Sequence, residues 1–144
     1  MGVREDKKRE TRARLERAAL DLFAGRGYDR TTVEEVAAVA GVSARTAFRY
    51  FPAKADLVFG DSQADLASLR AQLAAQDRSL PAFDAARLAL VEFSLRIGTP
   101  TNAERARVIE ANSALAARSI QLRQVWAEAI AAELAARRGL STPD

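Results

Sequence analysis

The chain has 144 residues, long enough for one domain or for a small domain beside a second helical one, and it contains neither cysteine nor histidine. These two absences exclude disulfides, thiolate or imidazole metal sites, cysteine nucleophiles and histidine bases, so we expect no enzyme, no metal and no cofactor. Residues 1–54 hold twelve Lys and Arg against eight Asp and Glu, whereas residues 55–144 hold ten against eleven. The positive charge of the first part favours a polyanionic partner.

Composition also limits the fold and the location. Ala, Leu, Arg and Glu dominate while glycine and proline are few, which predicts an all-α protein. No apolar run reaches the length of a membrane span, and the first residues are charged. We therefore expect a cytoplasmic protein without a membrane segment or a secretory signal.

The chain begins with a charged stretch followed by a first helix. Residues 1–10 have no apolar stripe, so they are expected to form a mobile arm or a solvated tail. Thr11 to Ala24 is predicted to be a helix, ended by Gly25 and Gly27. Its apolar positions recur at helical spacing: Leu15, Ala18, Ala19, Leu22 and Phe23.

Two short helices separated by a glycine turn follow. Thr32 with Glu35 forms a capping box, which predicts the start of a helix whose apolar face carries Val33, Val36, Ala37 and Ala40. Gly41 then supplies the left-handed turn, and Ser43 caps a second helix over residues 44–51. This is the arrangement of a helix-turn-helix.

The second short helix has an unusual outer face. If Ala47 and Phe51 point to the core, the outward residues include two arginines and two aromatic residues, a poor composition for a merely solvated surface. Such a face suits a major groove, where arginine reads guanine and Thr or an aromatic ring contacts phosphate or a thymine methyl. Lys54, just beyond Pro52, is placed to reach a backbone phosphate.

The run T-T-V-E-E-V-A-x-x-A-G-V-S-x-R-T-A-F-R-Y-F-x-x-K, preceded by A-x-x-L-F-A-x-x-G-Y, resembles the N-terminal domain of TetR-family transcriptional regulators over residues 15–57. The resemblance implies a three-helix DNA-binding domain over residues 1–53. It departs from the family at Phe48 and Tyr50, where the family often has Tyr and His, and this puts a phosphate contact from Phe48 in doubt. The expected DNA-binding residues are Thr32, Ser43, Ala44, Arg45, Thr46, Phe48, Arg49, Tyr50 and Lys54.

The remaining sequence is predicted to form longer helices. Lys54 to Gln76 is expected to be one helix that links the two domains, and Pro81 begins a helix that is apolar on most sides and should be central in its bundle. Thr101 or Asn102 caps a short helix through Glu110. Asn112 or Ser113 caps a long helix from Ala114 to Arg138, which Gly139 ends.

By the same resemblance, residues 54–144 correspond to the effector-binding and dimerisation bundle of the family, apparently without its last two helices. The full-length form is then expected to be a homodimer on a palindromic DNA operator, with an unknown hydrophobic small-molecule effector. The expected effector lining comprises Leu66, Leu69, Leu90, Phe93, Arg96, Ile97, Ile109, Asn112, Trp126 and Ile130. The segments F-R-Y-F-P-A-K-x-D-x-V-F-G-D and E-R-x-R-V-I further resemble regulators associated with mycofactocin gene clusters, which would imply an acyl-thioester effector.

Two functions remain open on the sequence. The favoured hypothesis is a sequence-specific DNA-binding regulator, most simply a repressor that a small-molecule effector releases. The alternative is a helical protein-interaction module whose outward aromatic residues bind a partner protein. DNA binding should weaken steeply as salt rises, whereas an apolar protein interface should not.

Overall fold

A computed structural model describes residues 2–97 and 102–139 of the chain. Within these ranges the chain is helical and contains no strand, which confirms the all-α prediction. The helices are α1 Val3–Arg26, α2 Val33–Ala40, α3 Ala44–Tyr50, α4 Asp56–Phe59, α5 Ser62–Ala75, α6 Ala82–Ile97, α7 Asn102–Glu110 and α8 Ser113–Arg137. Among the described residues, no helix is both long enough and apolar enough to cross a membrane.

The chain divides into two compact units. The first unit comprises Met1–Gly60 and Pro100–Ala116, and the second comprises Asp61–Thr99 and Ala117–Asp144. Helix α7 and the first turn of α8 therefore belong with the N-terminal helices. The functional boundary between residues 53 and 54 stays a prediction, because compactness alone does not assign a function to either part.

Helix α1 begins much earlier than the sequence predicted. Instead of a mobile arm, residues 3–10 form its first turns and are solvent-exposed. Arg, Lys and Glu are good helix formers, and Glu5 and Asp6 lie in the first turn, where the helix dipole favours negative charge. No glycine or proline separates this segment from the apolar stripe that begins at Leu15. An exposed extension of an already packed helix needs no apolar stripe of its own.

The core of the first unit joins α1 to α4 with α7 and the start of α8. Leu15, Leu20, Val36, Phe51 and Leu57 are almost fully buried there, as are Val58, Ala47 and Phe23. Val108 of α7 and Leu115 of α8 complete this core. Helix α7 is further attached to α1 by the Arg17–Glu104 ion pair, whose N–O distance is 2.7 Å. The first unit is thus a helix-turn-helix domain with one additional helix.

The single helix expected from Lys54 to Gln76 is instead two helices. Gly60 interrupts it with a φ of 65°, a backbone conformation that other residues rarely adopt. Asp61 then caps α5, since its carboxylate accepts a hydrogen bond from the Ala64 N–H at 3.0 Å. The prediction was wrong because the glycine and the acidic cap following Phe59 were not recognised as a stop and a new start.

The second unit packs α5 against α6, with side chains of α8 added. Its core contains Leu69, Leu73, Ala85, Ala89 and Phe93, and the Phe93 ring meets Trp126 edge-on at 5.6 Å between centroids. The prediction that α6 is central was wrong for the described residues. Its alanines face α5 and allow close approach, while its larger side chains Phe83, Leu90, Val91 and Leu95 are exposed.

The predicted helix starts in this part of the chain are largely confirmed. The carbonyl oxygen of Pro81 accepts the first hydrogen bond of α6, from the Ala85 N–H at 3.0 Å. Asn112 caps α8, because its side-chain oxygen accepts from the Leu115 N–H at 3.1 Å. The predicted cap of α7 at Thr101 or Asn102 lies outside the described side chains.

Candidate nucleic-acid interface

The capping box predicted at Thr32 is present. The Thr32 hydroxyl accepts a hydrogen bond from the Glu35 N–H at 3.2 Å, and the Glu35 carboxylate accepts one from the Thr32 N–H at 2.8 Å. At the other end of α2, Gly41 has a φ of 72° and turns the chain toward α3. Because both ends of α2 are fixed by local hydrogen bonds and backbone geometry, the direction in which α3 leaves is fixed as well.

Helix α3 is oriented by one cap and two buried side chains. The Ser43 hydroxyl accepts a hydrogen bond from the Thr46 N–H at 3.1 Å and donates one to the Thr46 hydroxyl at 2.9 Å. Ala47 and Phe51 are fully buried, as the sequence predicted. Rotation of α3 about its axis would expose the Phe51 ring, so the opposite face is held toward solvent.

The outward face of α3 carries the residues expected there, but they differ in how far they are exposed to solvent. Arg45, Phe48 and Arg49 are exposed, and 41 % of Phe48 remains accessible to solvent. Ala44 and Thr46 are half-buried. Tyr50 is also half-buried and packs on the core, with the Arg49 guanidinium 5.6 Å from its ring centre. Arg45 and Arg49 are four residues apart, so they project from the same side of the helix.

Two further cations of the first unit lie on aromatic rings. The Lys54 ammonium is 4.2 Å from the centre of the Tyr28 ring, and the Arg12 guanidinium is 4.5 Å from that of Phe51. Such contacts hold a cation in place without neutralising its charge. From the sequence, Arg12 was interpreted as a surface charge near the start of α1 that could also touch phosphate. Its contact with the Phe51 ring was not predicted, because a cation–π contact between α1 and the end of α3 has no signature at fixed spacing.

Two acidic groups of the first unit, Glu35 and Asp29, make local contacts. The backbone hydrogen bond from Thr32 is the largest cause that lowers the pKa of the Glu35 carboxyl below its ordinary value, and the Arg26 guanidinium, 2.8 Å away, lowers it further. Asp29 accepts a hydrogen bond from the Asn112 amide at 3.3 Å. Among the described residues, no three acidic side chains come together in a way that would hold a metal ion.

The residues expected to line an effector pocket do not all converge. Leu69, Phe93, Trp126 and Ile130 belong to the core of the second unit, Leu66 is half-buried on α5, and Leu90 is exposed. Ile109 packs on the core of the first unit, and Asn112 is a half-buried residue of the same unit. The side chains of Arg96 and Ile97 lie outside the described part of the chain. The effector pocket therefore stays a prediction.

Gln72 of α5 was not predicted as a functional residue. This side chain is only 9 % exposed, and neither its amide nitrogen nor its amide oxygen has a hydrogen-bond partner among the described residues. An unpaired buried amide is costly, so it marks a place where a polar group from elsewhere would be favoured. The available signal was a polar residue between Leu69 and Leu73, inside the apolar stripe of α5.

Comparison with known proteins places this geometry in a family. Residues 16–59 match the family model of bacterial regulatory proteins, tetR family. Over 128 residues the chain is 35 % identical to the Mycobacterium tuberculosis protein named as a mycofactocin biosynthesis transcriptional regulator, MftR; this covers 88 % of the chain and 65 % of that protein. It is 46 % identical over 56 residues to the HTH-type transcriptional regulator TcmR of Streptomyces glaucescens, covering 39 % of the chain and 25 % of TcmR.

A solved structure supports the same fold. The tetR-family transcriptional regulator from Streptomyces coelicolor superposes with a TM-score of 0.51 at 23 % identity, over 100 % of this chain and 62 % of that protein. The chain thus spans less than two thirds of the length of each of these relatives. With its capped helix-turn-helix, the segment 16–59 belongs to the tetR family of bacterial regulatory proteins.

Proposed function

We propose that the chain is a sequence-specific DNA-binding transcriptional regulator that places α3 in the major groove. The observation that carries the proposal is the face of α3 opposite Ala47 and Phe51, where Arg45, Phe48 and Arg49 are exposed on a helix capped at its start and buried on its other side. A recognition helix requires such a combination of a rigid backbone and free side chains that reach base edges. The similarity to MftR and TcmR, both named as transcriptional regulators, supports it.

The interface residues divide into two roles. Arg45 and Arg49 carry guanidinium groups able to bond the guanine edge, and Phe48 offers an apolar contact for a thymine methyl. Thr32, Ser43 and Lys54 lie at or near helix ends and are proposed to contact phosphates, with Ala44 and Thr46 beside them. Tyr50 is proposed to contact DNA with the exposed part of its side chain, because the rest of its ring packs against the core.

The second unit is proposed to bind a hydrophobic effector that releases DNA. The Gln72 amide has no hydrogen-bond partner among the described residues, which supports an effector with a hydrogen-bonding group on an apolar body. The carbonyl of an acyl thioester, suggested by the likeness to MftR, has this chemistry. Release requires the effector to bind the DNA-free arrangement more tightly than the DNA-bound one. We further propose a homodimer, located in the cytoplasm, on a palindromic operator whose half-sites are about 34–36 Å apart.

The experiment starts from duplexes selected by the protein from a random library. Replacement of Arg49 by alanine should weaken binding of the selected duplex by about 1–3 kcal/mol and relax the preference at one base pair. The control is Arg123→Ala, which removes an exposed arginine of α8 and should leave binding unchanged. An equal loss on every DNA sequence would make Arg49 a phosphate contact instead. Sedimentation of the complex then counts the chains on each duplex.

The alternative, a protein-interaction module, rests on the exposed ring of Phe48. Salt titration separates the two functions. Binding of the selected duplex should fall steeply between 50 and 200 mM salt if several phosphates are contacted, by about 10³ or more for six contacts. Failure to select any DNA sequence, together with salt-independent binding of a protein partner that Phe48→Ala abolishes, would favour the interaction module. Turnover of a small molecule by the pure chain would contradict both non-enzymatic functions.

A further inference from the structure

A cleft in the first unit is not used by the proposed DNA interface. It has a volume of about 550 Å³ and lies where the C-terminal end of α1, the segment that follows it and α7 meet. A volume of this size is within the range of sites that hold small molecules, about 300–1,000 Å³. All its lining residues belong to the first unit, and two of them, Phe23 and Val108, are part of the buried core of that unit.

The wall of the cleft is aromatic and apolar. Phe23 and Tyr28 contact each other edge-on, with 5.0 Å between ring centroids, and Val108 lies in the same lining. Phe23 and Val108 are buried and Tyr28 is half-buried, so these side chains are held by the core rather than free to move in solvent. A flat aromatic ligand gains both apolar burial and ring contacts against such a wall.

The rim of the cleft is positively charged. Arg26, Arg30 and Arg107 line it, against a single acidic residue, Asp29. Arg26 is paired with Glu35 at 2.8 Å, and Asp29 accepts the Asn112 amide. Arg30 and Arg107 are exposed and form no ion pair within residues 2–97 and 102–139. Two guanidinium groups are therefore available for an anion, and their planar donor geometry suits a carboxylate.

From this juxtaposition we infer that the cleft binds a small aromatic carboxylate, with its ring against Tyr28 and Val108 and its carboxylate held by Arg30 and Arg107. The site differs from the effector pocket proposed for the second unit, and its existence does not depend on DNA binding. A ligand in this cleft would be placed to alter DNA binding. The ring of Tyr28 also carries the Lys54 ammonium, 4.2 Å from its centre, so a ligand that shifts Tyr28 also shifts a proposed phosphate contact.

The test is calorimetric titration of the whole chain with three probes. The first is 2-naphthoate, which has both the ring and the carboxylate. The second is naphthalene-2-methanol, which has the ring alone, and the third is acetate, which has the carboxylate alone. We expect saturable binding of 2-naphthoate and at least tenfold weaker binding of each of the other two, since each lacks one of the two features that the cleft offers.

Three variants locate the binding. Arg107→Gln should raise the Kd for 2-naphthoate by about tenfold or more, because it removes one charge-assisted contact while keeping a polar, though shorter, side chain. Ala111→Trp, which fills the cleft from its lining, should abolish binding. Arg123→Gln, an exposed arginine outside the cleft, is the matched control and should leave the Kd unchanged. Thermal unfolding of each variant shows that the fold is retained.

Several results would overturn the inference. These are the absence of saturable 2-naphthoate binding, equal binding of naphthalene-2-methanol, or binding that Arg107→Gln and Ala111→Trp leave unaltered. A weakening of DNA binding by Arg107→Gln in a chain that ignores 2-naphthoate would instead assign these arginines to phosphate. Because the titrations contain no DNA, their outcome is separate from that of the proposed DNA-binding function.

Discussion

The two compact units differ in how completely they bury their large apolar side chains. In the first unit, Leu15, Leu20, Val36, Phe51 and Leu57 are all inaccessible or nearly so. In the second unit the buried set is small and rich in alanine, and the exposed large side chains are Phe83, Leu90, Val91, Leu95, Ile120 and Val125. Buried apolar area is the main favourable term in folding, so the first unit has the larger share of the stabilisation within the described chain.

This difference in burial follows from the sequences of the helices in each unit. Helices α2 and α3 are short, each has one apolar face, and each begins and ends at a local signal such as Thr32, Gly41 or Ser43. Helix α6 has large apolar residues on more than one face, so its sequence is compatible with several packing arrangements. A helix with a single apolar face can bury it in only one orientation. For a helix with apolar residues on more than one face, the buried face depends on which neighbouring helix packs against it.

The largest expected effect is a contrast between two phenylalanines. Phe51→Ala removes a fully buried ring from the first core, and we expect it to lower the free energy of unfolding by about 3–5 kcal/mol. Phe83→Ala, at a residue that is 75 % exposed, is the matched control and should change it by less than about 0.5 kcal/mol. Urea denaturation followed by circular dichroism measures both. Equal losses would show that the Phe83 ring is covered in solution and that the two units do not differ in this way.

A smaller effect, opposite in sign, is expected at Gln72. Its amide is buried without a partner among the described residues, so Gln72→Met should raise the free energy of unfolding of the ligand-free chain by about 1–3 kcal/mol. Leu73→Ala, at the adjacent core position, should lower it and serves as the control for core packing. If Gln72→Met also destabilises the chain, the amide has a partner in solution, such as an ordered water. Its use as an anchor for an effector would then lose its support.

The contrast between the units also explains how much was predictable from sequence. The capping box, the turn at Gly41, the cap at Ser43 and the burial of Ala47 and Phe51 are all confirmed, because each depends on residues within a few positions of one another. The stop at Gly60 had a local signal that was overlooked. The attachment of α7 to α1 through Arg17 and Glu104 had none, since it joins residues that are 87 positions apart.

In the candidate sites too, features set by neighbouring residues were predicted and features set by distant residues were not. Capping and periodicity predicted which face of α3 is outward, whereas they did not predict that Tyr50 rests partly on the core or that Lys54 and Arg12 lie over aromatic rings. In the second unit, an apolar stripe at helical spacing is compatible with a core or with a pocket lining. Leu69, Phe93, Trp126 and Ile130 pack in one cluster, while the placement of Leu90 on the surface depended on which face of α6 met α5.

The smallest predicted effect concerns the capping box of Thr32 and Glu35, the local hydrogen bonds that fix the start of α2 in the first unit. The pKa of the Glu35 carboxyl is lowered, first by the backbone hydrogen bond from Thr32 and then by Arg26. A carboxyl whose pKa is lower in the folded chain stabilises the fold above its unfolded pKa of about 4.3, and that stabilisation is lost as the pH falls through the folded value. Glu35→Gln keeps a side chain able to accept from the Thr32 N–H but carries no charge.

The gap in stability between the wild type and Glu35→Gln should therefore be present at neutral pH and close as the solution is acidified below the folded pKa. Carbon NMR titration of the Glu35 carboxyl gives that pKa directly. Thr32→Ala removes the other half of the capping box and should lower stability by about 1 kcal/mol, with little dependence on pH because the hydroxyl does not titrate. A gap between wild type and Glu35→Gln that persisted unchanged at low pH would mean that the glutamate acts through its shape rather than its charge, and that the start of α2 is specified by hydrogen bonding alone.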